Sequence, residues 1–310
     1  MNAFVAGAAR PMVVGHRGVP RLHQENTLAG FRRAAALGVP AIELDVVLSA
    51  DGVPVVFHDA DVDRLTDGRG AVADLTWDQL AKLRVRTRLE YGAVGGGAPL
   101  VMRYARPEPI ARLDEVLAEL AGRVAINVEI KIGLPRWWRT DVAARTAEVI
   151  AAAGATDAVI VTSFDPRKLA VARRTHPALR VGFCFDDTML DFTRPVLDRL
   201  APWRSWRSPE HAARANPHVA LERVLGADVV GRLLGTRVVG AEHTLIGAAA
   251  VAALHARGVA VGAHTLFPLG ASGRKHPSLS ASAPAEVARL VAAGVDWIET
   301  DDPERLMAML

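Results

Sequence analysis

The chain has 310 residues and a single cysteine, Cys184, so it can form no intrachain disulfide. Cys184 lies in the apolar run Arg180-Val-Gly-Phe-Cys-Phe185, which reads as a buried strand and assigns the thiol to packing. Aromatic residues make up only 5% of the chain. No basic tract is present: 37 lysines and arginines stand against 34 aspartates and glutamates. This near-balance excludes the lysine/arginine runs that track nucleic acid. Apolar stretches such as 245–254 fall well below the roughly 18 residues a membrane span needs. The first ten residues lack a charged n-region and are too short for an apolar core with a cleavage site, so no signal peptide is expected. A cytoplasmic protein is the resulting expectation.

Half of the residues are hydrophobic, chiefly Ala, Val and Leu, as suits helices packed on a buried parallel sheet. Eight strand-like runs are expected at 12–15, 41–47, 124–130, 158–162, 180–185, 236–241, 259–264 and 296–299. Amphipathic, alanine-rich segments lie between them, at 27–37, 110–120, 140–153, 166–175, 246–257 and 284–293. Gly38, Gly154, Gly258 and Gly294 each stand just before the next strand, as helix C-terminal signals do. Eight alternations without a break in composition favour one (β/α)8 barrel spanning 1–310 over a doubly wound sheet. Insertions are expected after the second strand, at about 59–109, and after the fifth, at about 186–235. Both would lie on the face where barrel active sites form.

The chemistry concentrates at strand ends. In 41–48 every uncharged residue is apolar, yet Glu43 and Asp45 are two apart and therefore share one face of a strand. A buried carboxylate is costly unless it is paired or bound to a cation. Glu129 and Lys131 repeat the spacing on the third strand, and His16 and His58 each close an apolar run. Glu43, Asp45 and Glu129 together form an all-oxygen set, which suits Mg²⁺ or Ca²⁺ better than Zn²⁺. Arg17 and Lys131 suit phosphate oxygens, and His16 and His58 suit general acid–base catalysis.

Several segments resemble the glycerophosphodiester phosphodiesterase family. They are His16-Arg17-Gly18, Glu25-Asn26-Thr27, Glu43-Leu44-Asp45, Asp51-Gly52, Pro54-Val-Val-Phe-His58-Asp59, Glu129-Ile-Lys131, Ser163-Phe164, and 294–303, which reads Gly-Val-Asp-Trp-Ile-Glu-Thr-Asp-Asp-Pro. They keep the family's order across nearly the whole chain. The resemblance implies a TIM barrel that cleaves glycerophosphodiesters to sn-glycerol 3-phosphate and an alcohol with a divalent cation. It implies Glu43, Asp45 and Glu129 as metal ligands, His16 and His58 as the acid–base pair, and Arg17 and Lys131 as phosphate holders. The same barrel and chemistry would also serve a lysophospholipase D-like enzyme. A phosphodiester-binding protein without turnover is the alternative from another class, and a phosphosugar isomerase is disfavoured by the paired histidines.

One departure concerns the seventh strand. Where the family carries Trp-Thr-Val-Asn, this chain has His264-Thr265-Leu266-Phe267, which alters one pocket wall and bears on substrate. The segments 135–139, with Trp137 and Trp138, and 202–207, with Trp203 and Trp206, join tryptophan to arginine. That pairing suits weak contact with a lipid interface or an amphiphilic substrate.

Overall fold

The fold was analysed in a computed structural model, which describes residues 2–7, 9–92, 99–132, 138–186, 217–269 and 283–310. Strand β1 (Met12–Gly15), helix α1 (Leu28–Ala36) and strand β2 (Ala41–Leu48) open the fold. Short strands follow: β3 (Pro54–Val56), β4 (Arg84–Val85), β5 (Arg88–Tyr91), β6 (Leu100–Arg103), β7 (Glu108–Pro109) and β8 (Ala111–Arg112), with the one-turn helix α2 (Trp77–Leu80) among them. Next come α3 (Leu113–Leu120), β9 (Ala125–Ile130), α4 (Asp141–Ala152), β10 (Val159–Ser163), α5 (Pro166–Thr175) and β11 (Arg180–Phe185). The chain ends with α6 (Pro217–Ala227), α7 (Val229–Leu234), β12 (Val238–Glu242), α8 (Ala248–His255), β13 (Ala260–Leu266), α9 (Ala283–Ala293), β14 (Trp297–Thr300) and α10 (Pro303–Met307).

Strands β1, β2, β9, β10, β11, β12, β13 and β14 are parallel, and β1 pairs with both β2 and β14. The sheet therefore closes into the expected eight-stranded barrel, and each barrel strand falls within two residues of its sequence-based bounds. Helix starts follow local rules. Thr27 caps α1 by accepting from the Gly30 N–H at 3.2 Å, and Asp165 caps α5 just before Pro166. Pattern reading placed a helix from 110; α3 instead starts at Leu113, because Ala111 and Arg112 pair with β3 as a strand.

The insertion after the second barrel strand is woven into the sheet. Strand β3 turns back antiparallel onto β2, with Val46 opposite Val56, and buries its own cluster around Phe57, Val62, Leu65, Leu80 and Leu89. Residues 93–98 of its glycine-rich loop lie outside the described residues. In the fifth-strand insertion, residues 187–216, with Trp203 and Trp206, lie outside them as well. The remainder contains α6 and α7, two helices the sequence pattern did not indicate.

Alternate residues of each strand face the lumen. At its lower end Trp297 meets Phe4 edge-to-face, with ring centroids 5.3 Å apart, and the buried Asn2 donates to the Val159 carbonyl at 2.9 Å. Trp297 occupies the space a side chain at Gly262 would need: a Cβ there would lie 2.0 Å from the indole. Gly262→Ala is expected to cost about 1–3 kcal/mol through overpacking, read from the urea unfolding midpoint. An unchanged midpoint would mean that the indole moves aside freely.

Candidate active site

The turn after β1 sets the geometry. A Cβ on Gly15 would lie 2.3 Å from the Gly18 carbonyl oxygen, and Arg17 adopts a left-handed φ of 53°. This tight turn points the Arg17 N–H at Glu43 Oε2, at 2.9 Å. The Arg17 guanidinium donates to Glu25 Oε1 at 3.0 Å and lies 3.1 Å from Asp45 Oδ2. Asn26, also left-handed at φ 56°, clamps Asp45 from two sides. Its amide donates to Asp45 Oδ2 at 2.8 Å, and its carbonyl accepts the Asp45 N–H at 3.1 Å.

Strand pairing brings in the third carboxylate. Asp45 on β2 stands opposite Glu129 on β9, and Lys131 follows two residues later on the same face. Lys131 Nζ donates to Glu129 Oε1 at 2.6 Å and lies 3.3 Å from Asp45 Oδ1. Glu43, Asp45 and Glu129 each offer an oxygen within 4.8 Å of the others, so the three predicted ligands converge. Glu43 and Asp45 are buried.

Their charges are unequally supported. Burial opposes ionisation of Asp45, but Lys131 and Arg17 outweigh it and hold the carboxyl far below its usual range. Burial, joined by the neighbouring Asp45 charge, raises Glu43 well above the usual carboxylate range. Glu43 Oε1 is buried and accepts no hydrogen bond from any described residue. An orphaned, desolvated carboxylate oxygen beside two more carboxylates is what a divalent cation would satisfy, so this residue set fits one.

Two histidine–aspartate pairs flank the carboxylates. His16 Nδ1 lies 2.6 Å from Asp301 Oδ1 on the segment after β14, and His16 Nε2 is 3.8 Å from Glu43 Oε2. Burial would lower the His16 pKa, but Asp301 lifts it to about 9. His58 Nδ1 lies 2.6 Å from Asp59 Oδ1. Burial lowers the His58 pKa, and the positive charges of Arg17 and Lys131 act in the same direction. In both pairs the aspartate engages Nδ1, which fixes the orientation of the ring and of its Nε2.

Arg64 ties the two halves together. It donates to Asp59 Oδ2 at 2.5 Å and to Glu25 Oε1 at 2.9 Å, and Glu25 in turn holds Arg17. Burial opposes ionisation of Glu25, yet Arg17 and Arg64 bring its pKa down to about 2. Asn26, Asp59, Arg64 and Asp301 had no assigned role in the sequence reading. Asn26, Asp59 and Asp301 lie inside the motifs that carry the family resemblance, whereas Arg64 carries no signal in the sequence. His264 lines the pocket wall on β13 with both nitrogens engaged, Nε2 with the Phe185 carbonyl at 3.0 Å and Nδ1 with Thr265 Oγ1 at 2.9 Å. Burial lowers its pKa to about 4, so it presents a neutral ring.

His16, Arg17, His58, Glu129, Lys131 and His264 line a cavity of about 430 Å³, a size suited to a small molecule. Asn26→Ala is expected to weaken divalent-metal affinity by about 10- to 100-fold, because Asp45 loses its clamp. Titration of the protein with Mn²⁺ checks this, and wild-type affinity would show that Asp45 is aimed without Asn26.

Comparison with known proteins follows the same lines. Residues 16–305 match the Glycerophosphoryl diester phosphodiesterase family. The chain is 32% identical over 176 residues to the glycerophosphodiester phosphodiesterase of Caldanaerobacter subterraneus subsp. tengcongensis, covering 57% of this chain and 67% of that protein. It is 49% identical over 74 residues to bovine glycerophosphodiester phosphodiesterase 1, covering 24% of this chain and 22% of that protein. Among solved structures, an Oleispira antarctica phosphodiesterase in complex with the product sn-glycerol-3-phosphate matches with a TM-score of 0.67 at 20% identity, covering 100% of this chain and 99% of the other. A glycerophosphodiester phosphodiesterase from Agrobacterium tumefaciens matches with a TM-score of 0.64 at 21% identity, covering 96% and 99%. With the family match running from His16 to Arg305, across the barrel and every residue of the carboxylate site, this chain belongs to the glycerophosphoryl diester phosphodiesterase family.

Proposed function

We propose that this chain hydrolyses glycerophosphodiesters to sn-glycerol 3-phosphate and an alcohol, with Mg²⁺ or Ca²⁺ held by Glu43, Asp45 and Glu129. The observation that carries this reading is the convergence of those carboxylates within 4.8 Å, with the His16–Asp301 pair beside them. The bound sn-glycerol-3-phosphate of the Oleispira neighbour supports the glycerol phosphate half of the substrate. A divalent cation supplies Lewis acidity toward a phosphoryl oxygen. Arg17 and Lys131 contribute fixed positive charge to the same place and offset charge developing on the phosphoryl oxygens. His16 and His58 divide the proton transfers: one takes the proton of the attacking oxygen, and the other delivers one to the departing alkoxide. Asp301 and Asp59 hold the two rings in the tautomer that this requires.

Lysophospholipids form a second substrate class for the same chemistry. Trp138, 60% exposed and following β9 in the sequence, favours that reading, while Trp137 lies outside the described residues. Changing Trp137 and Trp138 to alanine is expected to slow hydrolysis of lysophosphatidylcholine and to spare glycerophosphocholine. Equal loss on both substrates would remove the lipid reading.

His16→Ala and His58→Ala are each expected to lower turnover of glycerophosphocholine by at least about a hundredfold with the fold intact. EDTA is expected to abolish turnover, and Mg²⁺ or Ca²⁺ to restore it. Wild-type rate in either variant, or full activity in EDTA, refutes the assignment. Binding of phosphodiesters without release of alcohol would instead mark a barrel that lacks turnover.

A further inference from the structure

Lys168 is 1% exposed, among the largest fully buried side chains of the protein. It breaks two local rules. An ammonium group is costly to bury, and a cation is unfavourable in the first turn of a helix, where the backbone dipole is already positive. Lys168 stands in the first turn of α5, three residues after the cap Asp165. A residue that violates local preference twice calls for a compensating interaction.

The compensation lies on the neighbouring strand. The Lys168 ammonium donates to the Lys131 carbonyl and, at 2.7 Å, to the Ile132 carbonyl. Just before them, Ser163 Oγ donates to the Ile130 carbonyl at 2.7 Å. These carbonyls lie where the β9 ladders run out: pairing with β10 extends to Glu129 and pairing with β2 to Ile130. The Lys131 N–H still reaches the Val46 carbonyl at 3.2 Å. The Lys131 and Ile132 carbonyls have left the sheet and are held from α5. Burial draws the Lys168 pKa down to about 8 against the opposing charge of Asp165, so even the desolvated amine keeps its proton at neutral pH.

We propose that Lys168 is a positioning residue for Lys131: it clamps the exit of β9 and so fixes the backbone from which the Lys131 side chain reaches Asp45, Glu129 and the phosphate position. Glu129 sits inside both ladders and does not need this clamp. Loss of Lys168 therefore acts on phosphate binding more strongly than on metal binding. The proposal rests on the reading of Lys131 as a phosphate-binding cation.

The test compares wild type with Lys168→Met, Lys168→Gln and Lys131→Met. In Mg²⁺, Lys168→Met is expected to raise both KM for glycerophosphocholine and Kd for sn-glycerol 3-phosphate about tenfold, the scale of one charged hydrogen bond. Lys168→Gln, which retains a donor, is expected between wild type and the methionine variant. Mn²⁺ affinity is expected to change by much less than the affinity for sn-glycerol 3-phosphate. In a Lys131→Met background the Lys168→Met change is expected to add nothing to Kd, because both substitutions remove one interaction. Unchanged KM and Kd in a folded variant overturn the proposal, as does an equal loss of Mn²⁺ and phosphate affinity. Failure of both Lys168 variants to fold also overturns it, assigning Lys168 to the core. Failure of wild type itself to bind sn-glycerol 3-phosphate refutes the functional reading instead.

Discussion

A carboxylate without solvent exposure, Asp45, is the group around which the mouth of the barrel is organised. Keeping it charged in a parallel sheet requires opposite charge and hydrogen bonds in contact with it, since desolvation alone would neutralise it. Arg17 and Asn26 supply them from the connection between β1 and α1, and Lys131 from the end of β9. Each contributor carries a structural demand. Arg17 and Asn26 take left-handed backbone conformations, Gly15 has no room for a side chain, and Lys131 stands at the last hydrogen-bonded position of β9. The conformations that look irregular in isolation are the ones that bring compensation to this single group.

The remaining chemistry is placed by the same constraint. Strand β3 folds back onto β2, and the Phe57 N–H donates to the Asp45 carbonyl at 3.0 Å. That bond delivers His58 along the same edge of β2 that β1 pairs with, beyond the β1 register. His16 arrives from β1 and is held by Asp301 beyond β14, the strand that pairs with β1. The parallel ladder thus sets where strand ends lie, and the loops between them aim the side chains. Arg64 then links Asp59 to Glu25, so the two flanks share one chain of ion pairs. Such a chain is favourable only when every charge has a partner.

Much of this was legible in the chain. The i, i+2 spacing of Glu43 with Asp45, and of Glu129 with Lys131, placed each pair on one face because strand geometry has a period of two. Apolar runs, several of them preceded by a helix-ending glycine, marked the barrel strands to within two residues, and Cys184 is buried as its apolar neighbours suggested. Other parts had no local signature. The partner of His16 lies 285 residues away in sequence, and Arg64 meets Glu25 across 39. Helices α6 and α7 lie in the fifth-strand insertion, to which the sequence pattern assigns no elements. His264, read as a wall residue bearing on substrate, has both ring nitrogens bound within the protein, and the Thr265 beside it holds a left-handed φ of 66°.

The chain by itself determined the order of its barrel strands and which residues share a strand face. These follow from alternation, caps and turn residues within a few positions of one another. Tertiary structure alone decided which buried charges meet, which histidine nitrogen is engaged, and which carboxylate oxygen is left without a donor. Electrostatic compensation in a low-dielectric interior depends on contacts of a few ångströms, and closure of the barrel, not proximity in sequence, brings those groups together.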